Sequence, residues 1–546
     1  MTLISDLPLG VLELILGHAV DKQALNAWTW HSQLPLLAVC RQWRRIAAPL
    51  VYSLCFIKLR EDFGYHSSSD NSDSDSDFES ASDDSCVLLE SNVETIVLND
   101  TCHMVKHMHL TLLWPSNPMV YIDEVLLKLD FGGNSWSNVE TLTIAFTSAS
   151  SDHGLESDIE IIQIEEDVTR SAKAFSQLMP NIASFNIHAY TSNALAEVLA
   201  GELADIYAPQ LQSLKCNIPL NLTVLNFTDS LTHLDLQLNP ASSWLTSQIN
   251  ARSLESLVLS NVPLDFSWRY FIGDSKYNSD NITFARLHTL SLAYAAQPNK
   301  YKDGNDDTCK LFFPRLRSLS IQSCPTNCAV LRASEYPLAL DKVYILGPFA
   351  AARALSLMDL SSINVLSISV TAISQDDIAD FYEVTNRIYK NISIARSSKL
   401  ILPRIGFSLD PSNIEWPNIT ELVCKDPIEF SALVKLLPRL SNVRNPEFIS
   451  VTLDSPPPFL SLKQDMEDPA EPASFNTKIE RLRLFINANV YPVALAASAV
   501  QYLMLRLPSL RCVYLAESVH TDTRYFIEQF SPQYPHLKNI LVEYAF

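Results

Sequence analysis

Glycine is scarce in this sequence: the 546 residues include 11 glycines, which is about 2% where about 7% is usual. The common phosphate-binding and catalytic loops need glycine at fixed spacings, because the backbone must turn sharply or approach a ligand closely. The sequence contains no GxGxxG, GxxxxGKS/T, GxSxG or HExxH motif. These absences argue against the common nucleotide-binding, hydrolase and zinc-protease sites. We therefore expect no enzyme and no cofactor.

Basic residues are also few, with 40 Lys and Arg against 61 Asp and Glu, which gives a net charge of −21. Nucleic-acid binding needs clustered cations that contact phosphates, so we expect no nucleic-acid partner. The N-terminus lacks a basic segment followed by an apolar core. The most apolar later stretch, 490–507, is interrupted by Pro492, Ser498, Gln501 and Arg506. We therefore expect neither a signal peptide nor a membrane span.

The ten cysteines are scattered along the chain and do not form the dense framework of a small disulfide-rich domain. Hydrophobic residues make up 47% of the chain and charged residues 18%, a composition typical of folded proteins. These features favour reduced thiols and a cytoplasmic location, a nuclear location or both.

Residues 1–54 are predicted to form two amphipathic helices. Pro8 suits the first turn of a helix, and apolar residues then recur at helical spacing over 11–19. A second run covers 34–48, and Pro49 is expected to end it.

A low-complexity insert occupies residues 66–86, and nine Ser and seven Asp or Glu lie between 67 and 85. Such a segment cannot bury enough apolar surface to offset its ordering entropy, so it is predicted to be disordered. Acids follow several of its serines, which makes it a substrate for an acid-directed kinase or simply a solvated linker. The sequence leaves both possibilities open.

From residue 90 to 546 one pattern keeps returning: apolar-x-x-apolar-x-apolar. Clear copies are VETLTI at 139, LQSLKC at 211, LTHLDL at 231, LESLVL at 254, LHTLSL at 287, LRSLSI at 316, INVLSI at 363, ITELVC at 419, IERLRL at 479, LRCVYL at 510 and LKNILV at 537, with weaker copies at 105, 182, 340, 402 and 440. Helix-like stretches lie between copies, and a proline precedes many of them. One such unit cannot bury its apolar face alone, so the pattern predicts stacked units that share a core.

The first 55 residues resemble an F-box. Leu7-Pro8 at the start of the first helix, Val39-Cys40-Arg41-x-Trp43-Arg44 in the second, and Pro49 match the pattern of that family. The repeats resemble leucine-rich repeats, and the whole is similar to divergent fungal F-box leucine-rich-repeat proteins. The resemblance implies an α/β fold, in which a small helical F-box precedes a solenoid with a parallel sheet on its concave face.

An F-box docks on a Skp-type adaptor, which joins a cullin–RING ubiquitin ligase. The resemblance implies a docking surface formed by Leu7, Pro8, Val11, Leu12 and Ile15, with Leu37, Val39, Cys40 and Trp43 reaching or supporting it. The residues by themselves also favour an interface, because two short helices cannot bury so many apolar side chains. The alternative is that these helices only cap the first repeat.

Outward positions of the repeated strands are the candidate target-binding surface. Arg481 and Arg483 beside Tyr514 are the strongest candidates, since Arg and Tyr are over-represented at energetic anchors of interfaces. The resulting hypothesis is a substrate-recognition subunit of a Skp–cullin–F-box ubiquitin ligase, whose protein target the sequence does not identify. The alternative is a leucine-rich-repeat interaction scaffold that is not assembled into a ligase.

A small group of metal-ligating residue types lies near residue 105, at Cys102, His103, His107 and His109. No second pair of ligands lies nearby, and the two later histidines alternate on a predicted strand. We interpret them as surface residues and predict no metal site.

Overall fold

The computed structural model describes the greater part of the chain. The described residues are 9–20, 27–61, 87–114, 118–131, 133, 135–148, 158–189, 194–218, 220, 225, 227, 229–238, 249–263, 266–272, 281–295, 310–323, 330, 340–356, 363–372, 380, 383–384, 387–388, 399–402, 416, 418–453, 475, 478–486 and 493–544. The predicted insert at 66–86 lies outside them. The chain divides into two units, residues 1–260 with 268–278, and residues 261–267 with 279–546.

Short helices form the N-terminal part of the first unit. They are α1 (Leu9–Ala19), α2 (Ala27–His31) and α3 (Arg41–Val51), with a 3-10 turn at Leu34–Ala38. The helix predicted over 34–48 is thus interrupted, because Cys40 is extended and its Sγ accepts a hydrogen bond from the Trp43 N–H at 3.5 Å, capping α3. Pro49 does not end α3 as predicted. Helical hydrogen bonding continues past it, where the Tyr52 N–H donates to the Ala48 carbonyl at 2.9 Å.

The sheet of the first unit consists mainly of parallel strands. Its described strands are β1 (Leu54–Glu61), β2 (Val87–Ser91), β3 (His107–Trp114), β4 (Thr141–Ser148), β5 (Ser184–Ala189), β6 (Ser213–Cys216), β7 (His233–Gln237) and β8 (Ser256–Val262). The edge strand β2 runs antiparallel to β1, β1 pairs parallel with β3, and each later strand pairs parallel with the next along the chain. The helices of this region are α4 (Val93–Leu98), α5 (Pro118–Leu129), α6 (Asp158–Leu178), α7 (Ala194–Tyr207) and α8 (Trp268–Ile272).

The second unit repeats this arrangement with parallel strands alone. Its described strands are β9 (Asn281–Thr283), β10 (Thr289–Tyr294), β11 (Lys310–Phe312), β12 (Ser318–Gln322), β13 (Lys342–Pro348), β14 (Val365–Ala372), β15 (Lys399–Leu402), β16 (Glu421–Glu429), β17 (Asn445–Thr452), β18 (Arg481–Ile486), β19 (Cys512–Leu515) and β20 (Leu541–Tyr544). Strand β9 pairs with β11 in a separate two-stranded sheet, while β10 and β12–β20 form one ladder in chain order. The helices are α9 (Phe349–Leu355), α10 (Phe430–Leu436), α11 (Val493–Arg506) and α12 (Glu517–Phe530).

Most copies of the repeated pattern coincide with these strands, and their apolar positions are buried. In β8, for example, Leu257 and Leu259 are fully buried while Ser256 and Val258 are half-buried. Alternation of this kind is what a strand with one covered face requires. The chain therefore has an α/β fold with a large, mostly parallel sheet, and the predicted fold class is confirmed at that level.

Two copies were placed wrongly, and most of a third, at 402, lies outside the described residues. The copy at 440 precedes β17, which starts at residue 445. The copy at 537 begins in a 3-10 turn, and β20 follows at residue 541, in register with Cys512. The reason is that apolar residues of the turns before a strand are also buried, as Leu440 and Leu537 are, and they mimic the strand pattern.

Among the described residues, none of the helices combines the length and the apolar character that crossing a bilayer would require. The interrupted apolar stretch at 490–507 contains α11, in which seven residues are buried.

A buried asparagine secures the start of β1. The Oδ1 of Asn92 accepts a hydrogen bond from the Phe56 N–H at 2.9 Å, and its Nδ2 donates to the Leu54 carbonyl at 3.0 Å. Strand β2 ends at Ser91, which pairs with Ile57. The side chain of Asn92 therefore takes the place of a strand partner for Leu54 and Phe56, which lie beyond the end of β2.

Replacing Asn92 with alanine should lower the free energy of unfolding by about 2–3 kcal/mol, because it leaves a buried N–H and a buried carbonyl without partners. Urea denaturation of the two proteins measures the difference. The matched control is Asn99→Ala, which removes an exposed side-chain hydrogen bond to Thr95 and should cost less than about 1 kcal/mol. Equal losses in the two variants would contradict the role assigned to Asn92.

Candidate functional site

The helical module at the N-terminus, defined as residues 9–20 and 27–53, has a small core of its own. Leu12 and Leu16 of α1 and Ala47 of α3 are fully buried against one another. Partly buried apolar side chains pack around them: Leu36, Leu37, Trp43, Ile46 and Leu50. The module thus packs one face of α1 onto α3.

The other side of α1 is apolar as well and faces solvent. Val11 is 42% exposed, Leu14 66% and Ile15 43%. At 100° per residue, Leu14 lies opposite to Leu12 and Leu16, and Val11 and Ile15 lie on the flank between Leu14 and the buried leucines. A helix that is apolar on both sides is normally buried on both sides, so the outer face of α1 (Val11, Leu14, Ile15) is a candidate protein-docking surface.

Eight of the nine residues assigned to adaptor docking separate into three groups. Leu7 and Pro8 lie outside the described residues. Val11, Ile15 and Val39 are exposed, and Val39 is 56% exposed in the bend before α3. Leu37, Cys40 and Trp43 are half-buried, and Cys40 acts locally as the cap of α3.

Leu12 was expected at the docking surface, and the structure places it in the module core with no exposed area. The physical reason is the helical period, since Leu12 and Leu16 lie one turn apart and share the face that packs on α3. Sequence reasoning missed Leu14 of the outer face and Leu9, which is 54% exposed at the start of α1. A helical wheel that tested for two apolar faces could have found Leu14.

The helical module also exposes arginines. Residues 1–54 contain four Lys or Arg and three Asp or Glu, a net charge of +1 in a chain of net charge −21. Arg41, Arg44 and Arg45 are exposed on α3, and the Nε of Arg44 donates to the Leu37 carbonyl at 2.9 Å. A module with exposed cations suits a partner that carries acidic side chains.

A second candidate surface is the outer side of the sheet in the second unit. The parallel register aligns Glu447, Arg483 and Tyr514 on the adjacent strands β17, β18 and β19. The Arg483 Nη1 lies 3.4 Å from the Glu447 Oε2, and its guanidinium carbon lies 4.8 Å from the centre of the Tyr514 ring. Arg481 lies two residues earlier on β18, in register with Cys512.

Apolar side chains are also exposed on strands of this unit: Tyr344 of β13 is 38% exposed, Ile449 of β17 is 40% exposed and Leu541 of β20 is 55% exposed. Exposed Tyr and Arg side chains held by a rigid sheet are typical anchors of protein interfaces. The structure therefore brings together Arg483 and Tyr514 of the predicted target-binding set, with Glu447 as an addition that sequence reasoning missed.

The outer side of the sheet in the first unit has a different, polar character. One register row consists of His109, Thr143, Asn186, Lys215 and Asp235. Within this row the Asn186 Nδ2 donates to the Thr143 Oγ1 at 3.3 Å, and the Lys215 Nζ lies 3.5 Å from the Asp235 Oδ2.

Partial burial gives His109 an unusual titration. Burial, together with the nearby charges of His188 and Lys58, lowers the pKa of His109 to about 4. In the unfolded chain this histidine has its ordinary pKa of about 6.5. Between about pH 6.5 and about pH 4 the unfolded chain therefore binds a proton at this residue, whereas the folded chain does not. The contribution of His109 to the free energy of unfolding is therefore fully present at neutral pH, and it is lost as the pH falls from about 6.5 towards about 4.

We expect acidification from about pH 8 to about pH 5 to cost the wild-type chain about 2 kcal/mol more than it costs His109→Gln. Denaturant unfolding of both proteins at the two pH values measures this difference. His103→Gln, which removes an exposed histidine, is the matched control and should keep the wild-type pH dependence. A His109→Gln variant with the same acid sensitivity as wild type would contradict the assignment.

The described residues include no group of three or more His, Cys, Asp and Glu side chains arranged to hold a metal ion. Cys102 and His103 lie in a 3-10 turn, and His107 and His109 lie on β3.

Comparison of the sequence with models of known protein families and with curated proteins yields no match. The outer face of α1 and the outer side of the sheet in the second unit are therefore the two candidate functional surfaces.

Proposed function

We propose that the chain is the substrate-recognition subunit of a Skp–cullin–F-box ubiquitin ligase, located in the cytoplasm, the nucleus or both. The observation that carries this proposal is the outer face of α1, which exposes Val11, Leu14 and Ile15 although the same helix already packs its other side on α3. This face belongs to the segment whose sequence resembles an F-box, and it would dock on the Skp-type adaptor.

The strand ladder supports the second half of the proposal. Parallel strands that pair in chain order, each with buried leucines at the repeated positions, are what a leucine-rich-repeat solenoid requires. In such a solenoid the outward strand positions form the concave recognition face. Arg481, Arg483 and Tyr514 would then contact the protein target.

The proposed role needs no chemistry from this chain. A recognition subunit accelerates ubiquitin transfer by holding a lysine of the target near the conjugating enzyme, so that a bimolecular encounter becomes effectively intramolecular. This division of work agrees with a chain that has surfaces for partners and lacks the common catalytic motifs.

Co-purification with a Skp-type adaptor tests the docking half. The double variant Val11→Asp/Ile15→Asp should lose at least tenfold in adaptor recovery, because two carboxylates would be buried in an apolar interface. Both side chains are exposed in the free chain, so the variant should fold and melt as wild type does.

The matched control is Leu127→Asp, which places a carboxylate on α5 at a leucine that is 74% exposed. This variant should keep wild-type recovery of the adaptor. Absence of adaptor from the wild-type preparation, or equal recovery by the double variant and wild type, would refute the docking proposal.

A second candidate function is an interaction scaffold in which the helical module serves as a cap. A specific contact favours it: Trp30 is buried, its Nε1 donates to the Val51 carbonyl at 3.1 Å, and its ring lies 5.9 Å from that of Tyr52. Ser53 alone separates Tyr52 from β1, and its carbonyl accepts hydrogen bonds from Lys106 and His107. The module is therefore built directly onto the first strands of the sheet.

Deletion of residues 1–50 separates the two functions. If the module is a cap, the melting temperature should fall by several degrees, because apolar surface of Tyr52 and β1 loses its cover. Calorimetry of the truncated and full chains measures this shift. An unchanged melting curve, together with loss of the adaptor, would contradict the cap function and favour docking.

A further inference from the structure

A cleft of about 300 Å³ opens in the second unit, where the chain enters strands β17 to β20. Its lining includes Arg444 before β17, Lys478 and Glu480 before β18, Arg511 before β19 and His536 before β20. None of these residues belongs to the proposed adaptor-docking or target-binding surfaces. Three cationic side chains and one carboxylate therefore share a cleft in a chain whose net charge is −21.

Backbone hydrogen bonds hold the central side chains in a row. The Glu480 N–H donates to the Arg444 carbonyl at 2.9 Å, and the Arg511 N–H donates to the Glu480 carbonyl at 2.8 Å. Adjacent parallel strands lie about 5 Å apart, so the two arginines flank the glutamate. The backbones of the two arginines are thus about 10 Å apart, and long arginine side chains from such positions can both reach an anion placed between them.

The cationic side chains of the cleft have N–H donors that can bind such an anion. The Arg444 Nη1 lies 3.9 Å from the Glu480 Oε1, and both side chains are well exposed, so this pair is weak. Lys478 donates one hydrogen bond, to the Asn442 Oδ1 at 2.8 Å, while an ammonium group has three N–H donors. These side chains can therefore turn to a ligand without losing strong contacts.

His536 also lines the cleft, and one hydrogen bond determines which nitrogen of its ring carries the proton. Its Nε2 lies 3.1 Å from the Met504 carbonyl. A carbonyl oxygen only accepts, so the Nε2 carries the proton and Nδ1 is the remaining polar atom of the ring.

We propose that this cleft binds a phosphate monoester dianion. Such a group carries a charge of about −1.5 to −2 and three strong acceptor oxygens, which matches two planar guanidinium forks and a flexible ammonium. The phosphate can be that of a phosphorylated side chain or of a small phosphorylated molecule. The proposal holds whether or not the chain assembles into a ubiquitin ligase.

Titration of the full chain with inorganic phosphate tests the site, at mildly alkaline pH where phosphate is largely a dianion. Binding is measured by the rise in melting temperature relative to sodium chloride at equal ionic strength, and by phosphorus NMR line broadening. Arg511→Gln should bind phosphate about tenfold more weakly than wild type. Glu480→Gln should bind several-fold more tightly, because it removes the carboxylate of the cleft.

Arg524→Gln is the matched control, since Arg524 is an exposed arginine on α12 and does not line the cleft. It should bind phosphate as wild type does. The absence of any effect of phosphate beyond that of chloride, or equal weakening by Arg511→Gln and Arg524→Gln, would overturn the proposal. All three substitutions change exposed or half-buried side chains, and the melting curves in chloride check that each variant is folded.

A short alanine peptide with a central phosphoserine distinguishes the two sources of phosphate. If it binds at least tenfold more tightly than inorganic phosphate and its unphosphorylated form does not bind, the natural ligand is a phosphorylated side chain. If it binds no better than inorganic phosphate, while Arg511→Gln weakens both, the ligand is a small phosphorylated molecule.

Discussion

The fold depends on one constraint: no strand of the ladder can bury its own apolar side chains. The strands are four to nine residues long, and alternate positions point to the covered side. Leu234 and Leu236 of β7 lie in register with Leu257 and Leu259 of β8, and all four are buried. Each strand therefore completes the apolar layer of its neighbour, and the backbone hydrogen bonds of the parallel ladder fix the register in which this happens.

The same register determines what the outer side of each sheet can present. Because residues in register lie about 5 Å apart on adjacent strands, side chains that are 30 or more residues apart in sequence become neighbours. Glu447, Arg483 and Tyr514 meet in this way, and so do Arg444, Glu480 and Arg511 before the same strands. In the first unit the row of His109, Thr143, Asn186, Lys215 and Asp235 is polar. The two units thus offer surfaces of different chemistry on the same kind of scaffold.

The N-terminal module shows how a short helix can serve two surfaces. Leu12 and Leu16 contribute to a core with α3, while Val11, Leu14 and Ile15 remain exposed around the other side. Burial of one face stabilises the helix, and exposure of the other leaves apolar area that a partner can cover. The Ser53 carbonyl, which accepts hydrogen bonds from the Lys106 and His107 N–H groups, joins this module to the beginning of the sheet, so docking and capping are compatible roles for the same helices.

Much of the architecture could be predicted from the sequence. The repeated apolar pattern located most strands, because alternating burial leaves a direct trace in the order of residues. Apolar spacing likewise predicted α1. The sequence did not predict the break before α3, since the capping of that helix by Cys40 depends on a backbone conformation rather than on a pattern. It also placed Leu12 on the surface, because apolar character alone does not say which face of a helix packs.

What the sequence determined by itself was the periodicity of burial and the excess of acidic residues. The tertiary structure alone decided the contact of Glu447 with Arg483, the burial of Leu12 against α3 and the basic cleft before β17 to β20. The physical reason is that periodicity is a local property of the chain. Strand register and helix packing, in contrast, are set by contacts between segments that are far apart in sequence.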